Sequence, residues 1–407
     1  MNILMVNRIW HPGGGDWTYI ENMSALYQQH GHQIIPFAMH HPDNYPSEYS
    51  EYFIKHRDYR ELNDGKWYRG LGIAAESIYS FEALSSLKRV RIDLAHLNII
   101  HRYQTPAILK VLKEAGIPIV WTLHDYTILC PEGTFVSNGS ICEACKGGKF
   151  YRAVQKKCKK QSILASGLAC ADNYVNQFLN YYSFVDQFIC PSKFLYDKYL
   201  SYGIHPEKLH QLYHSYDPRQ LPPPPENQAD KGEKYFVFLG RLEKIKGIHT
   251  LLKAMKSCPD IPLKIIGDGT EKNTLMEYAR EHHLNQVSFL GNKSKEEIWP
   301  ILQGASFMVF PSECLEILGF SILEAMLCNK PVIGTKIGAI PETIIDGKTG
   351  LLVEACNAED LAEKIKALYA DEQLCEQLGN QAGSYIRALT EPNRYYEHLQ
   401  KIIPSLS

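Results

Sequence analysis

The sequence predicts an α/β protein of two doubly wound, Rossmann-like domains that face a central cleft. Short apolar runs, typical of buried strands, alternate along the chain with segments of helical periodicity, which is the pattern of a parallel sheet with helices on both faces. This alternation occurs twice, on either side of the proline-rich segment LPPPPENQADKGEK at 221–234. With 407 residues, the chain is also too long for one ordinary core and suits two domains.

The composition is that of a globular protein and argues against nucleic-acid-binding, membrane-spanning and secreted proteins. Hydrophobic residues make up 45% and charged residues 22%, and the net charge of −2 argues against a protein that binds nucleic acid over a large surface. No apolar run approaches the ~18 residues of a membrane span. The start, MNILMVNRIW, enters a strand directly and lacks the pattern of a signal peptide. We therefore expect a cytoplasmic protein whose 11 cysteines are mostly reduced core thiols.

The first domain begins as a nucleotide-binding α/β unit. The apolar run Asn2 to Val6 predicts a strand, the triplet Gly13-Gly14-Gly15 a loop, and DWTYIENMSALYQQHGH a helix that ends near Gly31. The triplet is followed by Asp16-Trp17-Thr18 and is not the dinucleotide motif G-x-G-x-x-G, which disfavours a dinucleotide oxidoreductase. A flexible turn without a ligand is the alternative interpretation of the triplet.

The middle of the first domain contains a candidate ligand-contacting histidine. Residues 40–80 are weakly patterned, and we expect an irregular insertion there. Strand-like runs at 93–98 and 117–123, with a helix near 105–115, then restore the alternation. His124 follows the second of these runs, where parallel α/β proteins place residues that touch ligands. A structural histidine hydrogen-bonded to the backbone is the alternative.

A cysteine-containing segment follows and predicts a structural zinc site. Four cysteines have the spacing C-x11-C-x2-C-x12-C in a glycine-rich region, and four thiolates can bind zinc tetrahedrally. Only one pair is closely spaced, so reduced structural thiols or a local disulfide are alternatives. The four residues, called the cysteine cluster below, are Cys130, Cys142, Cys145 and Cys158.

The same segment is strongly basic. Residues 146–160 contain seven Lys or Arg and no acid, with Phe150 and Tyr151 beside them. Such a face suits an anionic membrane surface or a phosphate-bearing acceptor, and a solvated charged face is the alternative. The interpretation predicts a peripheral contact with the inner membrane face.

The domain boundary is predicted in the proline-rich segment, because four prolines followed by polar residues are typical of a stiff, exposed linker. We expect an N-terminal domain at 1–220, a linker at 221–233 and a C-terminal domain at 234–385. A C-terminal helix near 386–407 is expected to pack back on the first domain.

Two glutamates in the second domain flank a predicted anion-binding turn. The run 305–311 predicts a buried strand, and LGFSILEAML predicts a helix that opens at Gly319. Free backbone N–H groups and the helix dipole favour an anion at such a helix start. Glu316 lies before the turn and Glu324 about two turns further on, so we expect them to contact different parts of one extended ligand, such as a nucleotide sugar.

Three further strand ends of this domain carry polar or glycine residues. Gly240, Arg241 and Lys246 follow its first strand, and two cations there can neutralise a diphosphate. Gly267-Asp268-Gly269 and Gly291-Asn292 follow the next two strands, where backbone groups can lie against a nucleoside. Taken singly, each is an ordinary turn or exposed cation.

The order of these features resembles a known family, the retaining, nucleotide-sugar-dependent glycosyltransferases of the GT-B fold, specifically glycosyltransferase family 4. The resemblance covers nearly the whole chain and is most specific in the second domain. It is carried by GGG at 13–15, LHDY at 123–126, GRLEKIKG at 240–247, IIGDGTE at 265–271, FLGN at 289–292 and the E-x7-E of ECLEILGFSILEAM.

The resemblance implies roles for these residues. Arg241 and Lys246 would hold the donor diphosphate, and Gly14 would approach it from the first domain. Glu316 would contact hydroxyls of the transferred sugar, as would His124. Backbone N–H groups that would cap the phosphates and the sugar belong to Leu318, Gly319, Phe320 and Ser321. Glu324 would contact the ribose.

This chain departs from the common Glu-Pro-Phe-Gly form of the motif, since Ile317 and Leu318 precede Gly319. Both substitutions keep the bulk but loosen the turn, which leaves the donor sugar open. The base, the acceptor, the linkage and the oligomeric state are also open.

The resemblance implies transfer of a sugar from a nucleoside-diphosphate sugar to a saccharide or lipid-linked acceptor, with retention of configuration and no cofactor required for catalysis. Since no paired-aspartate metal site is evident, cations and the helix N-terminus would stabilise the leaving diphosphate. The cysteine-containing segment is similar to that of bacterial members that build surface polysaccharides. A nucleotide-sugar isomerase or epimerase of the same fold and an inactive nucleotide-sugar-binding homologue are the alternatives.

Overall fold

The computed structural model describes residues 1–55, 90–101, 105–222 and 234–406. The chain divides into two compact units, Met1–Ser215 with Pro392–Ser407 and Tyr216–Glu391. Two sequence predictions fall largely outside the described residues: the insertion at 40–80, from residue 56 onward, and the linker at 221–233, from residue 223 onward.

The first unit contains a sheet of six parallel strands in the order β2-β1-β3-β4-β7-β8. Its strands are β1 (Asn2–Val6), β2 (Gln33–Phe37), β3 (Leu94–Leu97), β4 (Ile119–Thr122), β7 (Gln187–Cys190) and β8 (Leu209–Gln211). A separate antiparallel hairpin joins β5 (Val136–Ser137) and β6 (Ser140–Ile141). The helices are α1 (Gly15–Gln29), α2 (Ala107–Glu114), α3 (Tyr151–Gln155), α4 (Ile163–Phe178) and α5 (Lys193–Ser201). The central strands are buried along their length, as helices on both faces of a parallel sheet require.

The second unit repeats this architecture with the strand order β11-β10-β9-β12-β13-β14. Its strands are β9 (Phe236–Leu239), β10 (Leu263–Ile266), β11 (Val287–Gly291), β12 (Met308–Phe310), β13 (Val332–Thr335) and β14 (Gly350–Val353). Its helices are α6 (Ile248–Met255), α7 (Lys272–Glu281), α8 (Lys295–Gly304), α9 (Phe320–Leu327), α10 (Ile340–Thr343), α11 (Ala358–Ala370) and α12 (Glu372–Leu389). Two apolar clusters form its core, one containing Phe236, Phe307 and Leu251, the other Met308, Trp299 and Met326.

The strand orders fix where each unit can hold a ligand. In an open parallel sheet, ligands bind outside the carboxyl ends of the strands where the strand order reverses. This point lies between β1 and β3 in the first unit and between β9 and β12 in the second. The loops that follow β9 and β12 contain Arg241 and Glu316, respectively. The predicted fold class of two doubly wound domains is confirmed.

The chain ends in a helix that belongs to the first unit. Helix α13 (Pro392–Ile402) is assigned to that unit, whereas 386–391, which we expected in the returning helix, belong to the second. Tyr395 Oη lies 3.1 Å from Tyr19 Oη, and both groups are buried. Among the helices of the described part, none combines the length and the hydropathy that crossing a membrane requires.

Candidate active site

The loops that follow β9 and β12 pack closely against each other. Gly247 has φ +70°, and a Cβ there would lie 1.8 Å from the carbonyl oxygen of Pro311, so no side chain fits. The Glu313 N–H donates to the Ile245 carbonyl at 2.9 Å, and Ser312 Oγ lies 3.3 Å from the same carbonyl oxygen. These contacts bring the GRLEKIKG segment and the first glutamate of the E-x7-E motif together.

Lys246 and Glu316 form a largely buried ion pair. Lys246 Nζ lies 2.6 Å from Glu316 Oε1, and the side chains are 17% and 11% exposed. Burial by itself would raise the pKa of Glu316, but the charge of Lys246 and hydrogen bonds from Lys246, Ser312 and Cys314 outweigh it and lower the pKa. Burial would lower the pKa of Lys246, and Glu316 outweighs it and raises the pKa. Both groups are therefore charged at neutral pH.

The Glu316 carboxylate is oriented by contacts on one of its two oxygens. Ser312 Oγ donates to Oε1 at 2.5 Å, and the Cys314 thiol lies 3.5 Å from the same oxygen. Since Lys246 also binds Oε1, the three polar contacts converge there, and no hydrogen bond from the described residues reaches Oε2. That oxygen is left to accept hydrogen bonds from a ligand.

Sequence reasoning missed the residues that hold the Glu316 backbone. Gly338 has φ +59°, and a Cβ there would lie 2.5 Å from both the N and O of Glu316. The neighbouring Ala339 N–H donates to the Glu316 carbonyl at 2.9 Å, and Thr335 Oγ1 donates to the Ser312 carbonyl at 2.7 Å. In the sequence, the only feature that could have indicated this contact is Gly338, which lies between β13 and the short helix α10.

Arg241 is an exposed cation beside this pair. Its positive charge opposes that of Lys246 and by itself would lower the Lys246 pKa, which places the two cations within electrostatic range. No ion pair of the described residues involves Arg241, and its side chain is exposed. One neutralised and one free cation therefore lie at the carboxyl end of β9.

The N-terminus of α9 lies in the same loop system. Gly319 is its N-cap residue, and no side chain caps the helix. A Cβ on Gly319 would lie 3.0 Å from Ile322 and 3.2 Å from Phe310, so a larger residue would crowd this turn. Leu318, Phe320 and Ser321 flank the turn, and the donor contacts predicted for their backbone N–H groups stay a prediction. Helix starts of this kind favour anions.

Glu324 lies inside α9, one turn beyond Phe320, and differs electrostatically from Glu316. Burial raises the pKa of Glu324 to about 7, against a smaller opposing effect of Lys295. Its carboxyl group accepts no hydrogen bond from the described residues. The two glutamates thus present different chemistry: Glu316 is a paired carboxylate, whereas Glu324 changes protonation near neutral pH.

The turn after β10 is built against the loop after β9. Gly267 has φ +139°, and a Cβ there would lie 1.9 Å from the Gly240 carbonyl oxygen. Asp268 is exposed and pairs with Lys272 at 2.7 Å. Gly267 N–H donates to the Gly291 carbonyl at 2.8 Å, which connects the turn after β11 as well. Asn292 is exposed next to that turn.

In the first unit, the glycine triplet opens α1 as predicted. Gly14 is the N-cap residue with φ 134°, and no side chain caps the helix. Gly15 is the first residue of the helix. Asp16 follows and pairs with Arg8 at 3.2 Å. The start of α1 therefore has open backbone N–H groups and a carboxylate that is already engaged.

His124 is a neutral histidine held by a side-chain network. Its Nε2 lies 3.0 Å from Asn98 Oδ1, and burial lowers its pKa to about 4 despite the nearby charges of Asp16 and Asp125. The Asn98 amide donates to the Val6 carbonyl at 3.1 Å, so its oxygen faces the histidine, which then carries its proton on Nε2. The ring also packs edge-on against Tyr19 at 4.9 Å. The partner is thus a side chain and not the backbone.

The cysteine cluster is gathered but does not form a ready ligand set. The thiols of the other three cysteines lie within electrostatic range of Cys145, and all four are free. Among the described residues, three metal-capable side chains approach within 4.8 Å of one another only in a different group, formed by His11, His41 and Asp43. The zinc site remains a prediction.

Two family models match the chain. The model described as Glycosyltransferase Family 4 matches residues 13–220, and the model described as Glycosyl transferases group 1 matches residues 223–384. Together they extend over both units.

Individual relatives match part of the chain and solved structures match its fold. An uncharacterized glycosyltransferase, MJ1178, of Methanocaldococcus jannaschii is 38% identical over 143 residues, 35% of this chain and 40% of that protein. The D-rhamnosyltransferase WbpZ of Pseudomonas aeruginosa is 34% identical over 160 residues, 39% of this chain and 42% of that protein. The chain thus spans about two fifths of the length of these curated relatives.

The crystal structure of HepE (Alr3699) from Anabaena in complex with UDP has a TM-score of 0.65 and 20% identity over 100% of both chains, which supports the GT-B fold. The Glycosyltransferase Family 4 model covers more than half of the 407 residues. The protein therefore belongs to Glycosyltransferase Family 4.

Proposed function

We propose that this protein is a glycosyltransferase that moves a sugar from a nucleoside-diphosphate sugar to a saccharide or lipid-linked acceptor, with retention of configuration. The observation that carries the proposal is the Lys246–Glu316 pair, which lies beside the free cation Arg241 at the point where the strand order of the second unit reverses. Membership of Glycosyltransferase Family 4 supports the same reaction class.

The diphosphate of the donor is assigned to Arg241, Lys246 and the N-terminus of α9. Arg241 has an unpaired guanidinium with the planar geometry that matches phosphate oxygens. Lys246 is held by Glu316 and keeps two further N–H donors for the ligand. The uncapped N-terminus adds backbone donors and the favourable end of the helix dipole. These fixed positive charges would stabilise the diphosphate that develops as the anomeric bond breaks.

The transferred sugar is assigned to Glu316. Because Lys246, Ser312 and Cys314 all contact Oε1, the negative charge on that oxygen is neutralised, and Oε2 can accept hydrogen bonds from sugar hydroxyls. A carboxylate that is bound in this way is a weak nucleophile, so we assign Glu316 a binding role. Glu324 is assigned to the ribose, and the nucleoside to the turns at Gly267 and Asn292.

The remaining roles are proposed on the resemblance of the sequence to this family. Retention would follow if the acceptor attacks from the side that the diphosphate leaves. On this basis we also propose that Gly14, Gly15 and His124 contact the donor. We further propose that the transferred sugar is a hexosyl or N-acetylhexosaminyl group and that the product belongs to a surface polysaccharide.

The test is a panel of nucleotide sugars incubated with the full chain, with and without saccharide acceptors, while release of the nucleoside diphosphate is measured. Arg241→Ala should lower kcat/KM by about 100-fold or more without lowering the melting temperature, because its side chain makes no ion pair in the described structure. Arg280→Ala, which removes an exposed arginine on α7, is the matched control and should keep full activity. Full activity of Arg241→Ala would refute the diphosphate assignment, and conversion of the donor without an acceptor would indicate an isomerase.

A further inference from the structure

Helix α4 of the first unit and residues next to it expose large apolar side chains to solvent. Ten large hydrophobic side chains of the described residues are exposed, and six of them come from 151–179. Phe178 is 88% exposed, which is the largest value among the ten. The six side chains are those of Tyr151, Ile163, Leu164, Tyr174, Phe178 and Leu179.

The two faces of α4 are reversed relative to an ordinary surface helix. The buried face contains polar and small residues: Ser166, Ala169, Cys170, Asn173 and Asn176. Leu164, Tyr174 and Phe178 are spaced by ten and four residues, which places them on one exposed face. A surface helix normally buries its apolar face against its own core, so this face is available to another apolar phase.

The basic segment 146–160 runs beside α4 along the whole length of the helix. The Lys159 N–H donates to Ser166 Oγ at 2.9 Å near the start of α4. The Tyr151 N–H donates to Tyr174 Oη at 3.3 Å further along. A Cβ on Gly148 would lie 3.5 Å from the side chain of Gln177 at the end of the helix. The basic segment 146–160 therefore flanks the apolar face from one end to the other.

Most of the basic side chains of segment 146–160 are available to an external partner. Lys149, Arg152, Lys156 and Lys157 are exposed, and none of them takes part in an ion pair of the described residues. Lys159 contacts Glu132 at 3.7 Å. There is no acidic residue between Glu143 and Asp172, so nothing in this stretch of sequence neutralises the positive charge.

We propose that α4 and the basic segment 146–160 form a docking surface for an anionic lipid bilayer. A bilayer offers an apolar interior beneath anionic headgroups, which is the combination that this surface matches. Helix α4, about 24 Å long at 1.5 Å per residue, lies in the plane of the headgroups. Phe178, Tyr174 and Leu164 enter the acyl boundary, and the basic side chains contact lipid phosphates. The sequence indicated the basic segment, and the structure adds the apolar helix.

The proposal is tested by flotation of the full chain with lipid vesicles, an assay that needs no donor sugar and is therefore independent of the proposed function. Vesicles of phosphatidylcholine alone are compared with vesicles that contain about 30% phosphatidylglycerol. The protein should float with the anionic vesicles only, and rising salt should release it, because exposed charges are screened. Equal binding to both vesicles, or no binding to either, would overturn the proposal.

Variants distinguish the two parts of the surface. Phe178→Asp, or Lys156→Glu combined with Lys157→Glu, should weaken partitioning into anionic vesicles at least about tenfold. Met276→Asp changes a 45% exposed hydrophobic residue of the second unit and is the matched control, with binding unchanged. Circular dichroism checks that each variant is folded. Wild-type binding by Phe178→Asp would overturn the assignment. The assignment would also be overturned if the wild-type chain bound no vesicles but formed a dimer that Phe178→Asp abolishes. The surface would then be an interface with a second copy of the chain.

Discussion

Replacing Lys246 by alanine should destabilise the second unit strongly, because it leaves the Glu316 carboxylate without its counter-ion. The Glu316 side chain is 11% exposed, and breaking a buried ion pair by removing one partner typically costs about 3–5 kcal/mol. The Lys272–Asp268 pair is the matched control. It has nearly the same length, 2.7 Å, but its side chains are 35% and 52% exposed. Such pairs contribute about 0–1 kcal/mol, so Lys272→Ala should change stability little.

The measurement is urea unfolding followed by circular dichroism for wild type, both single variants and the double variant Lys246→Met/Glu316→Gln. The double variant removes both charges and should recover most of the lost stability. The ion pair lowers the folded-state pKa of Glu316 below its ordinary value of 4.5, so it stabilises the fold above that pH. Its contribution is lost as the pH falls through the folded-state pKa. The difference between wild type and Lys246→Ala should therefore shrink in acid.

The reasoning would be refuted if Lys246→Ala were no less stable than Lys272→Ala at neutral pH. It would also be refuted if the double variant were as unstable as Lys246→Ala, because the loss would then come from packing of the lysine stem and not from the orphaned carboxylate.

Three further predictions concern a glycine, a carboxyl group and the thiols. Gly267→Ala should cost about 2 kcal/mol or more in unfolding free energy, since its φ of +139° is unfavourable and its Cβ would meet the Gly240 carbonyl at 1.9 Å. Gly291→Ala, with φ +71° and open space around it, should cost less. Glu324→Gln should gain stability relative to wild type as the pH rises from about 4.5 to about 7. The native carboxyl keeps its proton longer than the unfolded one in this window, a difference of at most about 3 kcal/mol. If the cysteine cluster forms a zinc site, metal analysis of purified protein should find about one zinc per chain, and Cys145→Ser should lose it.

Each of these predictions has an opposing outcome. Equal melting temperatures for the two glycine variants would show that the close approach at Gly267 relaxes easily. A stability difference between Glu324→Gln and wild type that does not depend on pH would place the Glu324 pKa at its ordinary value. A folded, metal-free preparation with four titratable thiols would exclude the zinc site.

The periodicity of the sequence determined the fold class, the strand–loop–helix openings at Gly14 and Gly319, and the positions of the polar strand ends. These features are local. Apolar strands, glycines with positive φ and helix starts each require particular residue types within a few positions, so one sequence is sufficient to locate them.

Only the tertiary structure decided how those strand ends combine. Lys246 and Glu316 are 70 positions apart in the sequence. No local pattern indicates that β9 lies next to β12 in the sheet. That adjacency turns two separate predicted ligand contacts into one ion pair. The same holds for His124, whose partner Asn98 comes from the neighbouring strand end. It holds again for α4, because the face of this helix that the core buries is set by its packing against other segments. Side-chain partners and buried faces depend on contacts between distant segments, and a single sequence contains only the local part of that information.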